Sequence, residues 1–359
     1  MIAHSSSCVR PEDFAYIENL ARSNFVGRGE LSEKFRSRLC RVLGRSRSLL
    51  TSSGTAALEI ALCCLRRNRP GKVRVAVSAY VCPSVVSAID REGLKPLFVD
   101  VRHDSMGLDV ASILSSGGGD ILAVICTNIG GIPDDYDAVE AVGCEIISDC
   151  AQSLGATLWG KPLTALGKWT VLSFGSTKMI TAGTGGALLT DGDSDADEAE
   201  RYSASELPSE TYRDDGFRST YCQSFPDLNA GLGLSQLAEL DDFIIRRRAV
   251  ASAYDGVLIG EGGLSRAWAP AGANGSAYRY YFLSDFSAEW IRLFRENGVD
   301  ARASIAHNMT EYFRGLSPLP NLSDNVRRVV SIPIHPALDD EDVNHIIQVL
   351  RIGVSRKLR

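Results

Sequence analysis

The sequence predicts an α/β protein built around a mostly parallel β-sheet. Segments 73–80 and 121–127 are continuously apolar, which is typical of strands buried on both faces of such a sheet. Helical segments of about 10 residues alternate with the strands, as in βαβ units. The chain has 359 residues, of which 45% are hydrophobic and 23% charged, so it can bury a large core.

The first half of the chain gives the clearest pattern. Residues 1–24 predict a loose arm with one short helix. Apolar residues at helical spacing from Leu31 to Val42 predict a helix that ends at Gly44, and a second helix follows Gly54. Further predicted segments then alternate as strand or helix, with strands over 73–80, 95–101, 121–127 and 144–149, and helices over 83–93, 109–116 and 134–143.

The second half predicts a change of architecture. Two strands, 169–174 and 186–191, are joined by a Gly-rich turn, and polar residues 191–228 predict surface loops with one helix. Residues 234–258 predict one long helix. A strand over 278–286 and helices over 287–298 and 339–351 follow. We therefore predict an N-terminal arm (1–24), a large cofactor-binding domain (25–235), and a linking helix with a small α/β C-terminal domain (236–359).

Charge and composition exclude several classes of protein. The net charge of −6 argues against general nucleic-acid binding. No apolar run approaches the roughly 20 residues that span a bilayer, and the first ten residues contain no secretory signal. Nine cysteines lack CxxC spacing, and the histidines form no metal-ligand pair. These features indicate a cytoplasmic protein with no metal, nucleic-acid or membrane partner.

Two segments predict an anion site at a helix N-terminus. In SSGTAAL (52–58), a short strand leads through Gly54 and Thr55 directly into a helix, whose free N–H groups attract an anion. Ser173 ends a later strand and offers a hydroxyl. An ordinary helix N-cap is the alternative for the first segment, and on that segment alone it is the favoured one.

Two charged residues predict a cofactor. Asp149 follows a buried strand, at the sheet edge where ligands bind, and can hold a cationic ring nitrogen; a helix cap is the alternative. Lys178 lies in an apolar neighbourhood and can form an imine with a carbonyl cofactor; a surface-loop lysine is the alternative. A phosphate site, a ring-nitrogen partner and an amine together indicate pyridoxal 5′-phosphate (PLP).

The sequence resembles the DegT/DnrJ/EryC1/StrS family of PLP-dependent sugar aminotransferases, of fold type I. The resemblance covers about residues 25–352 and is carried by SSGTAAL, SDCAQSLGA, LSFGSTKMITAGTGGALLTDG and VVSIPIHPALDDEDV, in that order. It implies a seven-stranded large domain, a small C-terminal domain, and a homodimer with active sites at the subunit interface.

The resemblance also implies site residues. Lys178 corresponds to the Schiff-base lysine and general acid/base, and Asp149 to the partner of the pyridine nitrogen. The remaining cofactor contacts it implies are Gln152 near the ring hydroxyl and the phosphate-binding residues Gly54, Thr55 and Ser173. A residue of SAYVC should stack on the ring. Tyr80 is the aromatic candidate, although Cys82 aligns with the position where many relatives carry an aromatic side chain.

The chain departs from the family pattern in two places. Cys222-Gln223-Ser224 stands where relatives carry Asn-Tyr-Arg, whose Asn reaches the phosphate of the neighbouring subunit; Gln223, Arg213 or Arg218 are candidate substitutes. Residues 128–131, Asn-Ile-Gly-Gly, replace the His-x-aromatic-Gly of the family. Both changes indicate an altered substrate pocket.

The resemblance implies transfer of an amino group from L-glutamate to a keto-sugar, with a nucleotide-linked keto-sugar as the expected acceptor. A diphosphate needs basic contacts, for which Arg246, Arg247 and Arg248 are candidates, although a solvated helix face is the favoured alternative. Arg302 and His307 are further candidates. A cyclitol ketone, an amino-acid substrate and a PLP-binding sensor without turnover are alternative functions.

Overall fold

The computed structural model describes residues 1–23, 26–117, 119–204, 221–261, 264 and 267–358. In chain order, the strands of the described chain are β1 (Arg47–Thr51), β2 (Arg74–Ser78), β3 (Tyr80–Val81), β4 (Lys95–Val99), β5 (Ile121–Cys126), β6 (Glu145–Asp149), β7 (Thr157–Leu158), β8 (Lys161–Pro162), β9 (Trp169–Ser173), β10 (Gly186–Thr190), β11 (Ala273–Asn274), β12 (Tyr280–Leu283), β13 (His307–Asn308) and β14 (Val329–Ile332).

A seven-stranded sheet of order β1-β10-β9-β6-β5-β2-β4 forms the centre of the protein. From β9 to β4 neighbouring strands are parallel, whereas β10 is antiparallel to both β9 and β1. The mostly parallel sheet predicted from the sequence pattern is confirmed, as are the seven strands that the resemblance implies. Because parallel strands end at the same edge, Cys126, Asp149 and Ser173 come together at the carboxyl edge of the sheet.

Helices cover both faces of this sheet. The described helices of at least five residues are Ala15–Ser23, Glu30–Leu43, Gly54–Asn68, Pro83–Arg91, Val110–Ser115, Tyr136–Glu140, Asp193–Ser203, Asp227–Ala238, Leu240–Asp255, Gly256–Glu261 (a π-helical turn), Ser287–Glu296, Pro320–Arg328 and Asp340–Ser355. Successive residues of β2 point into opposite cores, Val75 and Val77 into one and Ala76 into the other. This burial on both faces explains the continuously apolar strands.

The prediction of one long helix over 234–258 is wrong. Two helices, Asp227–Ala238 and Leu240–Asp255, meet at Glu239, whose ψ of 1° interrupts the helical repeat. The first helix begins within the stretch predicted as loop. Gly233 lets this helix pack closely against Phe35, since a Cβ there would lie 2.8 Å from the Phe35 ring.

The C-terminal part has its own small sheet and core. Strand β12 pairs antiparallel with β14, a strand that the sequence pattern missed together with the helix Pro320–Arg328. Helices Ser287–Glu296 and Asp340–Ser355 pack on this sheet through buried side chains such as Trp290. No helix among the described residues is long and apolar enough to cross a membrane.

Asp227, the first residue of the helix Asp227–Ala238, connects that helix to the N-terminus of the helix Glu30–Leu43. Its carboxylate accepts hydrogen bonds from the backbone N–H groups of Gly29, Leu31 and Ser32 at 2.8–3.1 Å, and from the Ser32 hydroxyl at 2.7 Å. Burial raises the pKa of Asp227, but the Ser32 hydroxyl and the three N–H groups outweigh it, so the pKa lies below its ordinary value. The carboxylate thus caps the helix Glu30–Leu43 from outside.

We expect Asp227→Asn to lower the free energy of unfolding by about 1 kcal/mol at neutral pH, as for a lost helix cap. Because the folded-state pKa is lowered, this contribution is present above the ordinary carboxyl pKa and is lost as the pH falls through the lowered value. Denaturant unfolding at neutral pH and in acid measures the difference, with the exposed Asp90→Asn as control. A difference that persisted undiminished in strong acid would contradict the assignment.

Candidate active site

A cavity of about 190 Å³ opens at the carboxyl edge of the large sheet. Six residues that the sequence predicted for the site line it together: Gly54, Thr55, Asp149, Gln152, Ser173 and Lys178. The rest of its lining, which the sequence reasoning did not single out apart from Cys82, consists of Ser53, Leu58, Val81, Cys82, Ser84, Val85, Thr127, Ile129, Ala151 and Val171. Residues distant in sequence therefore meet in one place.

The N-terminus of the helix Gly54–Asn68 forms one end of the cavity. Ser53 is its N-cap, and the Ser53 hydroxyl accepts a hydrogen bond from the Ala56 N–H at 3.1 Å. A Cβ at Gly54 would lie 3.0 Å from the Leu172 carbonyl oxygen and from Ser173 Cβ. A side chain at Gly54 would therefore press on the end of β9, and the first residues of the helix, Gly54 and Thr55, line the cavity.

Gln223 approaches this end of the site from its own chain. Its side-chain oxygen accepts hydrogen bonds from the Ser52 N–H at 3.1 Å and from the Ser52 hydroxyl at 2.5 Å. Of the candidate substitutes for the family's Asn, Gln223 thus lies next to the helix N-terminus. Arg213 and Arg218 lie outside the described residues.

Asp149 lies at the end of β6 with a buried carboxylate. Its Oδ1 accepts a hydrogen bond from the Ala151 N–H at 3.0 Å, and only 8% of the residue's surface is exposed. Burial raises the pKa of Asp149, and the opposing effects of the Ala151 N–H and the Lys178 charge do not cancel it. The carboxylate therefore occupies a position where a cation would stabilise its charged form.

Asn128 donates a hydrogen bond to the backbone of Asp149. It was not predicted as a site residue. It is fully buried, and its Nδ2 donates to the carbonyl oxygens of Cys126 and Asp149 at 3.0 and 3.2 Å. Its φ of 46° places it in the left-handed region directly after β5. A polar residue at the end of a buried parallel strand, one strand from Asp149, was the available signal.

Lys178 reaches the cavity from the loop after β9. It is half-buried, and its Nζ lies 5.8 Å from the centre of the Tyr278 ring. The helix Asp227–Ala238 supports this loop, because Asn229 Nδ2 donates to the Ala182 carbonyl at 2.7 Å. Tyr278 was not among the predicted site residues.

The structure places Tyr80 outside the cavity lining. Its side chain is 2% exposed, and its hydroxyl accepts hydrogen bonds from the N–H groups of Ile305 and Ala306 at 2.9 and 3.2 Å. Val81 and Cys82, the next two residues, line the cavity instead. Because the phenol is already bonded to the C-terminal part of the chain, Cys82 is the better candidate for the ring face.

Gln152 borders the cavity beside the turn after β5. Its side-chain oxygen accepts a hydrogen bond from the Gly130 N–H at 3.0 Å, which fixes the amide against the wall. Its amide NH₂ group can donate a hydrogen bond to an acceptor group of a ligand.

The arginines suggested for a diphosphate have structural contacts. Arg247 is 3% exposed and donates to the Tyr278 and Ile334 carbonyl oxygens at 3.1 and 2.7 Å. Arg248 donates to the carbonyls of Gly155 and Gly275, and Arg246 to that of Leu338.

Arg247 is therefore a buried structural residue, whereas Arg246 and Arg248 are partly exposed and Arg246 also pairs with Asp340. Arg302 pairs with Asp300. His307 is exposed, and its backbone pairs with Val81 of the cavity wall.

The polar groups of the cavity fit PLP. The helix N-terminus and the Ser173 hydroxyl suit a phosphate, the buried Asp149 suits a protonated ring nitrogen, and the amine of Lys178 suits an aldehyde. The helix N-terminus and Asp149 both lie at the carboxyl edge of the same sheet. The sheet therefore fixes the distance between these two parts of the cavity.

Comparison with known proteins gives one family for almost the entire chain. A model of the DegT/DnrJ/EryC1/StrS aminotransferase family matches residues 7–351. Among solved structures, AtS13 from Actinomadura melliaura is 26% identical, with a TM-score of 0.90 over 98% of this chain and 99% of that one.

Two further structures have the same fold. The sugar aminotransferase CalS13 from Micromonospora echinospora is 22% identical, with a TM-score of 0.89 over 98% of this chain and 100% of its own. Spr1654 from Streptococcus pneumoniae, solved in its PLP form, is 22% identical, with a TM-score of 0.87 over 100% of both chains.

We expect Asp149→Asn to stabilise the cofactor-free protein at neutral pH while weakening cofactor binding. The raised folded-state pKa means that the wild type loses stability as the pH rises from the ordinary carboxyl pKa through the raised one. An amide has no such titration, so the stability difference should vanish in acid. Thermal unfolding with and without PLP measures both effects, and a variant less stable than wild type without PLP would contradict the assignment.

Proposed function

We propose a specific reaction for this chain, which belongs to the DegT/DnrJ/EryC1/StrS aminotransferase family and is a PLP-dependent aminotransferase. The proposed reaction moves an amino group from L-glutamate to a keto-sugar, with a nucleotide-linked sugar as the favoured acceptor. The meeting of Lys178, Asp149 and the Gly54 helix N-terminus in one cavity carries this proposal.

The chain's own residues divide the chemistry between them. When bound, PLP supplies an aldehyde that exchanges amino groups and a ring that withdraws electrons from the reacting carbon. Lys178 Nζ takes the proton from the donor carbon that carries the amine and returns it on the other side of the exchange, as a general acid/base. The Asp149 carboxylate keeps a proton on the ring nitrogen through a charge-assisted hydrogen bond.

The remaining lining residues bind and orient. Gly54, Thr55 and Ser173 hold the phosphate, Gln152 meets the ring hydroxyl, and Cys82 covers a ring face. Each assignment is supported by the position of the side chain or backbone in the cavity wall. A donor that leaves before the acceptor enters predicts ping-pong kinetics.

The acceptor class is supported by the relatives rather than by a basic patch. CalS13 is described as a sugar aminotransferase. In this chain, Arg246, Arg247 and Arg248 are engaged with backbone carbonyls, which argues against their use for a nucleotide diphosphate. A cyclitol ketone needs fewer such contacts and is the alternative acceptor to test.

We also propose a homodimer with two shared active sites. In the described part of the chain, Lys178 is the one cationic side chain in the cavity lining, so a phosphate with two charges lacks a basic partner from its own subunit. A neighbouring subunit would supply it. Light scattering should give the mass of two chains, and dilution into monomers should release PLP; a PLP-loaded monomer would contradict the shared site.

Replacing Lys178 tests the assigned chemistry. We expect Lys178→Ala to abolish turnover, because no amine remains to move the proton, while PLP still binds through the phosphate and ring contacts. Borohydride should attach the cofactor to the peptide containing Lys178 in wild type and not in the variant. The exposed Lys161→Ala is the matched control, and substantial transamination by Lys178→Ala would rule out the assignment.

The visible spectrum of the protein tests the donor. We expect a yellow absorption band from bound PLP that L-glutamate bleaches, after which nucleotide keto-sugars and cyclitol ketones can be screened for its return. A band untouched by L-glutamate would indicate another donor or a sensor that does not turn over. No band after PLP is added would contradict the proposed function.

A further inference from the structure

A second cavity, of about 260 Å³, borders the turn at residues 128–131. Among the described residues, it shares no lining residue with the cavity that Lys178 and Asp149 line. Its walls come from the helix Leu240–Asp255, the π-helical turn that follows this helix, and the segment 267–282. The volume exceeds the roughly 150 Å³ that holds a benzene molecule in an engineered protein cavity, so a small ring or a branched chain fits.

Most of the described lining of the second cavity is apolar. Six of its apolar side chains are Ala251, Leu258, Ile259, Leu264, Ala267 and Phe282. Leu258 and Phe282 also belong to the buried core of the C-terminal part, so they are held in place by packing. Burying apolar surface is favourable in proportion to its area. The walls therefore favour a ligand whose body is apolar.

Arg279 supplies positive charge to this lining. Its Nη1 donates to Ser5 Oγ at 2.5 Å and its Nη2 to the Tyr278 hydroxyl at 3.4 Å. A guanidinium carries more N–H groups than these two hydroxyls accept, so others remain to donate to a ligand. Within the described ranges, no carboxylate lies in ion-pair distance of Arg279, and burial lowers its pKa. A half-buried cation without a counter-charge is costly, and a bound anion would stabilise it.

The other charged groups of the lining do not reverse this balance. Arg248 adds a second positive charge, and its Nε donates to the Gly275 carbonyl oxygen at 3.0 Å. Asp255 is the one carboxylate among the described lining residues, and its Oδ1 accepts a hydrogen bond from the Tyr280 hydroxyl at 2.8 Å. With two cations and one anion, the described lining carries net positive charge.

We propose that the second cavity binds a small carboxylic acid with an aromatic or branched apolar body, whose carboxylate pairs with Arg279. A guanidinium and a carboxylate form charge-assisted hydrogen bonds of matched geometry, and the apolar walls receive the body. A sugar diphosphate does not fit these walls, because they offer its hydroxyls few polar partners. The inference goes beyond the proposed function, since this site neither contains nor needs the reactive amine.

The backbone of Gly130 separates the two cavities. Its carbonyl oxygen accepts the Arg279 N–H at 2.9 Å, and its N–H donates to the Gln152 side-chain oxygen at 3.0 Å. Gln152 lines the active-site cavity, whereas Gly130 and Arg279 line the second one. A ligand of the second cavity therefore binds beside the turn that orients Gln152 without entering the active site, and it binds at the same time as PLP.

Benzoate is the probe for this site, and benzamide, which has the same ring but no charge, is its matched control. In titration calorimetry of the PLP-loaded protein, benzoate should bind about tenfold or more tightly than benzamide, as for a charge-assisted pair. Arg279→Gln should remove this preference, and Arg279→Lys should keep part of it, because it keeps the charge and loses the planar geometry. Arg327→Gln, an exposed arginine paired with Asp324, should bind as wild type does.

A second variant tests the apolar part of the cavity. Ala251 is half-buried and lines the cavity, so the ring of Ala251→Phe would take the space of the ligand body. We expect this variant to lose binding of both benzoate and benzamide, with thermal unfolding as the check that it is folded. Ala288→Phe, at an exposed position of the helix Ser287–Glu296, is the matched control and should bind both as wild type does.

A wild type that does not bind benzoate would overturn the inference, as would equal benzoate affinities in wild type and Arg279→Gln. Benzoate binding that disappears when PLP is loaded would also overturn it, because the ligand would then lie in the active site. Benzoate binding by a PLP-loaded protein that L-glutamate does not bleach would refute the proposed donor and leave this result standing.

Discussion

The site depends on one close backbone contact between the helix Gly54–Asn68 and strand β10. A Cβ at Gly186 would lie 2.5 Å from the Gly54 backbone nitrogen, and one at Gly54 would lie 3.0 Å from the Leu172 carbonyl. Two glycines therefore let a helix N-terminus sit directly on the end of the β9–β10 pair. Because Ser173 ends β9 and Lys178 follows it, the same contact helps to set the distance between the helix N-terminus and the Lys178 amine.

Uncompensated charge is the second organising feature. Burial holds the pKa of Asp149 above its ordinary value, and the Arg279 guanidinium contacts the hydroxyls of Ser5 and Tyr278 with no carboxylate in ion-pair distance among the described residues. Each arrangement destabilises the empty protein and favours a ligand group of the opposite charge. Under the proposed function, the buried Asp149 carboxylate would favour a cationic ring nitrogen in the cavity, because that cation would stabilise its charged form.

The sequence predicted the sheet well because burial on both faces leaves a long apolar pattern in β2 and β5. It failed at Glu239, where a change of ψ breaks a helix without any Gly or Pro to signal it. The cavity lining was predictable where strand ends place residues at one edge, as for Asp149 and Ser173. The direction of the Tyr80 side chain was not predictable, because the sequence alone does not show on which side of the chain an aromatic ring next to the cavity lies.

The turn at residues 128–131, one of the two departures from the family pattern, positions several groups around the site. Asn128 supports the Asp149 carbonyl, the Gly130 N–H fixes Gln152, and the Gly130 carbonyl accepts the Arg279 N–H at 2.9 Å. A Cβ at Gly131 would lie 3.0 Å from the Gln152 carbonyl oxygen, so the turn has no room for a side chain there. With the ring side chains of the family motif absent, this turn contacts the site mainly through its backbone. The turn thereby fixes the orientation of Gln152 and holds the strand end that carries Asp149.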